Sequence, residues 1–244
     1  MTRTAAALVI GNEILSGKIQ DANTATLARE LRALGVELRR VVVVPDEVAL
    51  IAAEVNSLRL GHDLLFTSGG VGPTHDDVTV EAVARALGRR VVRDAKLESM
   101  LRAHYGARCT EGHLRMADIV EGTELWEGLD ARWPTMVLGN VFILPGVPEI
   151  YRFKLEGLRP RLRGPDAPFV LRSVYTSLDE GAIKAHIDDV VTRFADVSVG
   201  SYPRWRDPEY AVRVTFDARD EARVREAADV FAALLPADAV VRRD

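Results

Sequence analysis

Short runs of continuous apolar residues alternate with stretches of helical periodicity along the first half of the chain. Ala5 to Ile10 reads as a strand buried on both faces. Ala22 to Leu34 reads as an amphipathic helix closed by Gly35, and Val36 to Val44 as a second strand stopped by Pro45. Glu47 to Leu60 continues as a helix ending at Gly61, Leu64 to Thr67 as a short strand, and Val78 to Leu87 as a helix ending at Gly88. This alternation predicts an α/β fold, a three-layer sandwich with a mostly parallel sheet between helices. Further on, the pattern predicts a short strand at Arg90 to Val92 and helices at Ala95 to Tyr105 and Glu111 to Val120. Thr135 to Leu138 and Val141 to Leu144 flank Gly139-Asn140, a two-residue hairpin signal, and a helix then runs to about Gly157.

Leu158 to Pro168 gathers three prolines, a glycine and charges, which places a domain boundary there, with domains at 1–163 and 169–244. The second domain reads strand Phe169 to Thr176, helix Leu178 to Phe194, strands Val197 to Ser201 and Ala211 to Phe216, helix Glu221 to Leu235 and strand Ala239 to Arg242. That βαββαβ order predicts a small α+β domain of the ferredoxin-like kind.

Composition narrows the functional classes. With 244 residues, 48% hydrophobic and 28% charged, the chain is long and apolar enough for a packed core, which argues against intrinsic disorder. The lone Cys109 excludes an internal disulfide framework and fits a reducing compartment. Net charge is −4 and the 32 basic residues are scattered, so no nucleic-acid partner is expected. The N-terminal MTRTAAALVIGNE lacks a secretory pattern and no apolar run approaches the roughly 18 residues of a membrane span, so a cytoplasmic chain with no membrane partner is expected.

The chemistry concentrates in a few loops. TSGGVGPTHDDVT, Thr67 to Thr79, leaves a strand and enters a helix, and its closely spaced glycines let backbone N–H groups approach an anion at a helix N-terminus. Ser68, Gly69, Gly70, Gly72, Pro73, Thr74 and Thr79 are therefore candidate phosphate-binding positions. Asp76 and Asp77 are candidate metal ligands and catalytic carboxylates, one of them a candidate helix cap, because two carboxylates beside a phosphate call for a cation. GNEILSGKI, Gly11 to Ile19, lacks the Walker A spacing, yet Asn12 and Glu13 stand at the carboxyl end of a strand where α/β sheets bind ligands. Glu13 is read either as a metal or proton-transfer carboxylate or as a solvated residue of a turn. LPGVPE, Leu144 to Glu149, puts Gly146 at a second strand-to-helix turn, either a cleft wall or a tight turn. His104, Cys109 and His113 offer three zinc-type ligands without an obvious fourth, so a polar helix–turn–helix surface is the preferred reading, and SYPRWRDPEY, Ser201 to Tyr210, interleaves aromatics and Arg as a stacking loop or an edge hairpin would.

GNE at Gly11 to Glu13, TSGGVGPTHDDVT at Thr67 to Thr79 and FILPGVPE at Phe142 to Glu149 together resemble the molybdopterin-binding-like domain family. Within it the chain is most similar to the N-terminal region of CinA-type proteins and the N-terminal domain of FAD synthases. GSYPRW at Gly200 to Trp205 followed by YAVRVTF extends the FAD synthase likeness into the small domain, while Glu127 to Asn140 lacks the GTAPG-like loop of many CinA proteins. The resemblance implies a nucleotide or pterin phosphate ligand at the glycine-rich loop. It further implies metal-dependent hydrolysis of a pyrophosphate such as FAD or ADP-ribose, with Glu13, Asp76 and Asp77 taking part and Mg²⁺, Mn²⁺, Co²⁺ or Ni²⁺ as the ion. The alternatives are molybdopterin binding or adenylation, and a non-catalytic nucleotide sensor. A homo-oligomer, with a dimer favoured, is the expected assembly.

Overall fold

The computed structural model describes residues 2–130, 133–206 and 209–244. The chain divides into two compact units, Met1–Asp166 and Ala167–Asp244.

The first unit opens with β1 (Thr4–Ile10), a short helix α1 (Asn12–Leu15), α2 (Asn23–Ala33), β2 (Glu37–Val44), α3 (Val48–Gly61), β3 (Leu64–Ser68) and α4 (Thr79–Leu87). It continues with β4 (Val91–Arg93), α5 (Ala95–Tyr105), α6 (Glu111–Leu114), β5 (Asp118–Val120), β6 (Glu124–Trp126), β7 (Thr135–Leu138), β8 (Val141–Leu144) and α7 (Pro148–Leu162). The main sheet has the order β2-β1-β3-β8-β7-β6; its first four strands are parallel and the β8-β7-β6 meander is antiparallel.

Each central strand feeds two cores, because successive side chains point to opposite faces. On one face Ala5, Ala7, Phe66 and Phe142 pack against Leu27 and Leu31 of α2 and Tyr151, Leu155 and Leu158 of α7. On the other, Leu8, Ile10, Leu65 and Ile143 meet Ile51 and Val55 of α3 and Ala82 and Val83 of α4. Burial on both faces is why these strands read as unbroken apolar runs. Each fully buried Leu or Phe contributes roughly 1.5–3 kcal/mol relative to exposure.

Two expectations are corrected here. The helix expected over Glu111 to Val120 is a helix only to Leu114. A 3₁₀ turn, Arg115–Ala117, follows, and then β5, antiparallel to β4. Tertiary pairing wins over helical spacing because Ile119 and Val120 suit a strand and find Val91 and Val92 opposite them. The helix expected to end near Gly157 runs on to Leu162 with Pro160 inside it. Leu158 and Leu162 hold it on the core, and Arg3 Nη1 donates to the carbonyls of Arg161 and Leu162 at its end.

The second unit comprises β9 (Val170–Thr176), α8 (Glu180–Arg193), β10 (Ser198–Pro203), β11 (Val212–Ala218), α9 (Glu221–Leu234) and β12 (Val240–Arg243). Its sheet is antiparallel throughout, in the order β10-β11-β9-β12. Val174, Val212, Val214 and Phe216 bury against Ile183, Val190, Val224 and Phe231 of the two helices. On the opposite face Arg242 and Arg213 stack over Tyr175, whose hydroxyl donates to Asp244. Of the SYPRWRDPEY segment, Tyr210 is buried edge-on against Tyr175, Trp205 is 88% exposed, and Asp207 and Pro208 lie outside the described residues.

Candidate functional site

Three adjacent parallel strands, β1, β3 and β8, end at the same edge of the sheet, and each hands the chain to a loop that opens a helix. Gly11, Gly69 and Gly146 stand just beyond those ends. A cavity of about 640 Å³ lies over this edge, with Glu13, Ser68, Gly69, Gly70, Gly72, Asp77 and Gly146 on its wall. Its place, beyond the carboxyl ends of an open α/β sheet, is where such sheets bind ligands.

The glycine-rich loop is held by its own backbone and by Thr79. Gly69 (φ +106°) and Gly70 (φ +66°) adopt conformations closed to ordinary side chains. A Cβ at Gly69 would collide with the Ile10 carbonyl, and one at Gly70 with the Thr79 hydroxyl. The loop therefore requires these glycines before any ligand is considered. Thr79, fully buried, donates its backbone N–H to Gly70 O and its hydroxyl to Gly69 O, and Gly69 N donates to Leu144 O of the neighbouring strand.

Asp77 and Asp76 separate clearly. Asp77 lines the cavity, and its Oδ2 accepts from both the backbone N–H and the hydroxyl of Thr74, which closes the loop on itself. Asp76, Pro73 and Thr74 are exposed and stand off the cavity wall, as does Asn12, whose N–H donates to Asp46. The expectation that one aspartate caps the following helix is corrected: the residue before α4 is Val78, and no side chain caps that helix. The loop's tight turn directs the Asp77 carboxylate back to Thr74, three residues earlier, and so away from the helix that follows. Glu13 sits in α1 with its carboxylate folded against Gly11, on the cavity wall.

Most of the far wall comes from segments that carry no motif. Leu97, Leu101 and Tyr105 of α5, Met116, and Met136 and Ile143 of the sheet make it apolar. α7 opens onto the cavity through Val147, Pro148 and Ile150, again with no side-chain cap. Asn23, buried at the start of α2, donates from Nδ2 to Ser68 Oγ (2.9 Å) and Gly146 O (2.8 Å), tying the two glycine turns together. Lys154 is buried on the wall, and its Nζ donates to the carbonyls of Trp133 and Pro134. Burial lowers its pKa to about 8, against the opposing pull of Asp130.

Asn23 and Lys154 escaped sequence reasoning. A signal existed for the second: Lys154, one of only four lysines, falls on the Tyr151–Leu155–Leu158 face of its helix, where the period calls for an apolar residue. Of the two readings of His104, Cys109 and His113, the structure supports the polar surface over the zinc site. Among the described residues no group of three or more His, Cys, Asp or Glu is placed to hold a metal ion, and His113 Nδ1 is engaged by the N–H of Thr110 in a capping box.

A mostly parallel α/β sheet between helices, with a glycine-built cavity at the ends of its strands, defines the class of domain. The chain belongs to the family described as the probable molybdopterin binding domain, whose model matches residues 6–164, and the FAD synthase middle domain matches residues 168–244. An Archaeoglobus fulgidus protein is 33% identical over 227 residues, covering 93% of this chain and 95% of its own. A probable FAD synthase of Caenorhabditis briggsae is 31% identical over 88% of this chain, and a CinA-like protein of Thermotoga maritima 33% identical over 78%. The chain spans about half the length of these last two, 46% and 48%. The crystal structure of CinA from Thermoplasma acidophilum, a protein of unknown function, superposes with a TM-score of 0.61 at 32% identity, covering 66% of this chain and 98% of that one. No helix among the described residues is long and apolar enough to cross a membrane.

Proposed function

We propose that this protein hydrolyses the pyrophosphate of a nucleotide such as FAD or ADP-ribose with the help of a divalent metal. The observation that carries the reading is the meeting of Glu13 and Asp77 with the Gly69–Gly72 loop on one cavity wall. The loop's backbone amides would receive the phosphate oxygens, and the apolar wall of Leu101, Tyr105 and Met136 would cover a ring.

The donor set suits an ion shared with the substrate. Two carboxylates are too few to hold a metal by themselves, but Mg²⁺ is commonly bound by one or two carboxylates plus substrate phosphates. Glu13 and Asp77 would hold it, and when bound it would supply Lewis-acid polarisation of the phosphoryl group and a more acidic water. Asp77, fixed by Thr74, keeps its charge at a set position. Glu13, in α1 just beyond strand β1, would accept the proton of the attacking water if Asp77 and the substrate phosphates alone held the ion.

The test is to incubate the purified protein with FAD and with ADP-ribose in Mg²⁺, Mn²⁺, Co²⁺ or Ni²⁺ and to follow AMP release by chromatography. Release that chelator abolishes is the expected result. The family's description favours a second reading, binding of a pterin phosphate without turnover. Failure to release any mononucleotide, together with retention of a pterin, would put that reading in its place.

A further inference from the structure

The cavity over the glycine-rich loop does not end at its apolar wall. A second hollow of about 770 Å³ lies between α5 and α7, and four residues, Tyr105, Trp133, Ile150 and Lys154, line both. Each hollow by itself falls within the size range of a pocket for one drug-sized ligand. A mononucleotide seated on the glycine loop would leave the second hollow empty.

The lining of the second hollow suits a flat ring. Met100, Ala103 and His104 come from α5, and Phe153 from α7. His104 stands edge-on to Tyr105, with ring centroids 4.8 Å apart. Phe153, Ile150 and Trp133 remain partly open to solvent, at 44%, 40% and 38%. Three large apolar side chains exposed together beside a cavity are unusual on a soluble surface and mark a place to be covered. The hollow has no glycine turn to supply backbone donors, and Asp130 and Glu149 on its lining oppose a second phosphate group. Aromatic and thioether surfaces take any planar ring, since every ring presents a π face.

We propose that this second hollow is a ring-binding subsite, so that the full site is bipartite: phosphates on the glycine loop, one ring against the Leu101 and Met136 wall, and a second ring between α5 and α7. The inference rests on the nucleotide reading of the first cavity. It adds that the preferred ligand carries a ring on each side of its phosphates, and that residues of α5 and α7 discriminate it from a mononucleotide. Lys154 stands at the junction of the two lobes, where its hold on the Trp133 and Pro134 carbonyls positions the Trp133 ring that both share.

Ala103→Trp fills the second hollow from an exposed position on α5, and Phe153→Ala removes one of its walls from α7. Neither residue lines the first cavity. Calorimetric titration of the wild-type protein and both variants with FAD and with AMP, in chelator so that no turnover follows binding, is the test. The expected result is at least a tenfold loss of FAD affinity in each variant and AMP affinity unchanged. Circular dichroism and the unfolding temperature identify any variant whose loss reflects misfolding, and Phe153→Leu, which keeps an apolar wall without the ring, should show the same selective loss with less disturbance of the fold. Equal affinities of wild type and variants for FAD would overturn the subsite and leave the nucleotide reading standing. Binding of neither nucleotide by the wild type would overturn both.

Discussion

Both units are built by alternating strands with helices, yet they put their loops in different places. In the first, β1, β3 and β8 run the same way side by side, so three turns are delivered to one edge and the cavity forms among them. In the second, every neighbouring pair is antiparallel, so adjacent strands end at opposite edges. The helices differ to match. Asp179 and Asp220 cap α8 and α9 through their side chains, whereas α7, which opens onto the cavity, has no side-chain cap. A helix start left uncapped at a cavity can offer its N–H groups and positive dipole end to an anion, whereas a capped one has used its first donors internally. At α7 the first unit thus leaves donors without a side-chain partner beside its cavity, where α8 and α9 of the second use theirs internally.

Asp77→Asn should break the contrast hardest. It keeps the Asp77 side-chain volume and an oxygen for Thr74 while removing the charge beside the glycine loop, so turnover of FAD or ADP-ribose should fall by about a hundredfold. Asp76→Asn, off the cavity wall, should change the rate little. Equal losses at the two positions, measured by steady-state kinetics, would mean that the loop rearranges around its ligand.

A smaller effect is expected from swapping the cap patterns. Val147→Asp gives α7 the cap it lacks and sets a carboxylate on the cavity wall, so affinity for a phosphate ligand should drop about tenfold while thermal stability holds or rises slightly. The converse change, Asp220→Ala, should cost about 1 kcal/mol of stability in denaturant unfolding with no effect on nucleotide binding.

The smallest signal is a slope with pH. Burial favours the neutral form of Lys154, whose pKa falls from 10.5 to about 8 on folding. Between those values the unfolded chain holds a proton that the folded chain has released, so stability should rise as pH increases from about 8 towards 10. Below pH 8 the burial penalty is present in full and this group adds no slope. Lys154→Met should flatten the rise in the unfolding midpoint across that window, and an unchanged slope would show that Lys154 stays charged in the fold.

By itself the sequence determined the strands buried on both faces, because a parallel sheet covered by helices demands unbroken apolar runs and Ala5–Ile10 and Leu64–Thr67 supply them. The glycine-rich loop was legible for the same local reason: positive φ at Gly69 and Gly70 must be met by glycine wherever the turn occurs. Local pattern carries no information on long-range pairing, so the strand at Asp118–Val120 emerged only once Val91–Arg93 lay opposite it. Nor does adjacency in sequence say which of two carboxylates faces inward. That was decided by the turn in which Thr74 holds Asp77, leaving Asp76 exposed on the outside. Asn23 and Lys154 entered the site for the most tertiary of reasons, since each is bonded to backbone or hydroxyl oxygens at least 20 residues away, and a polar side chain can be buried only where the fold brings such partners to it.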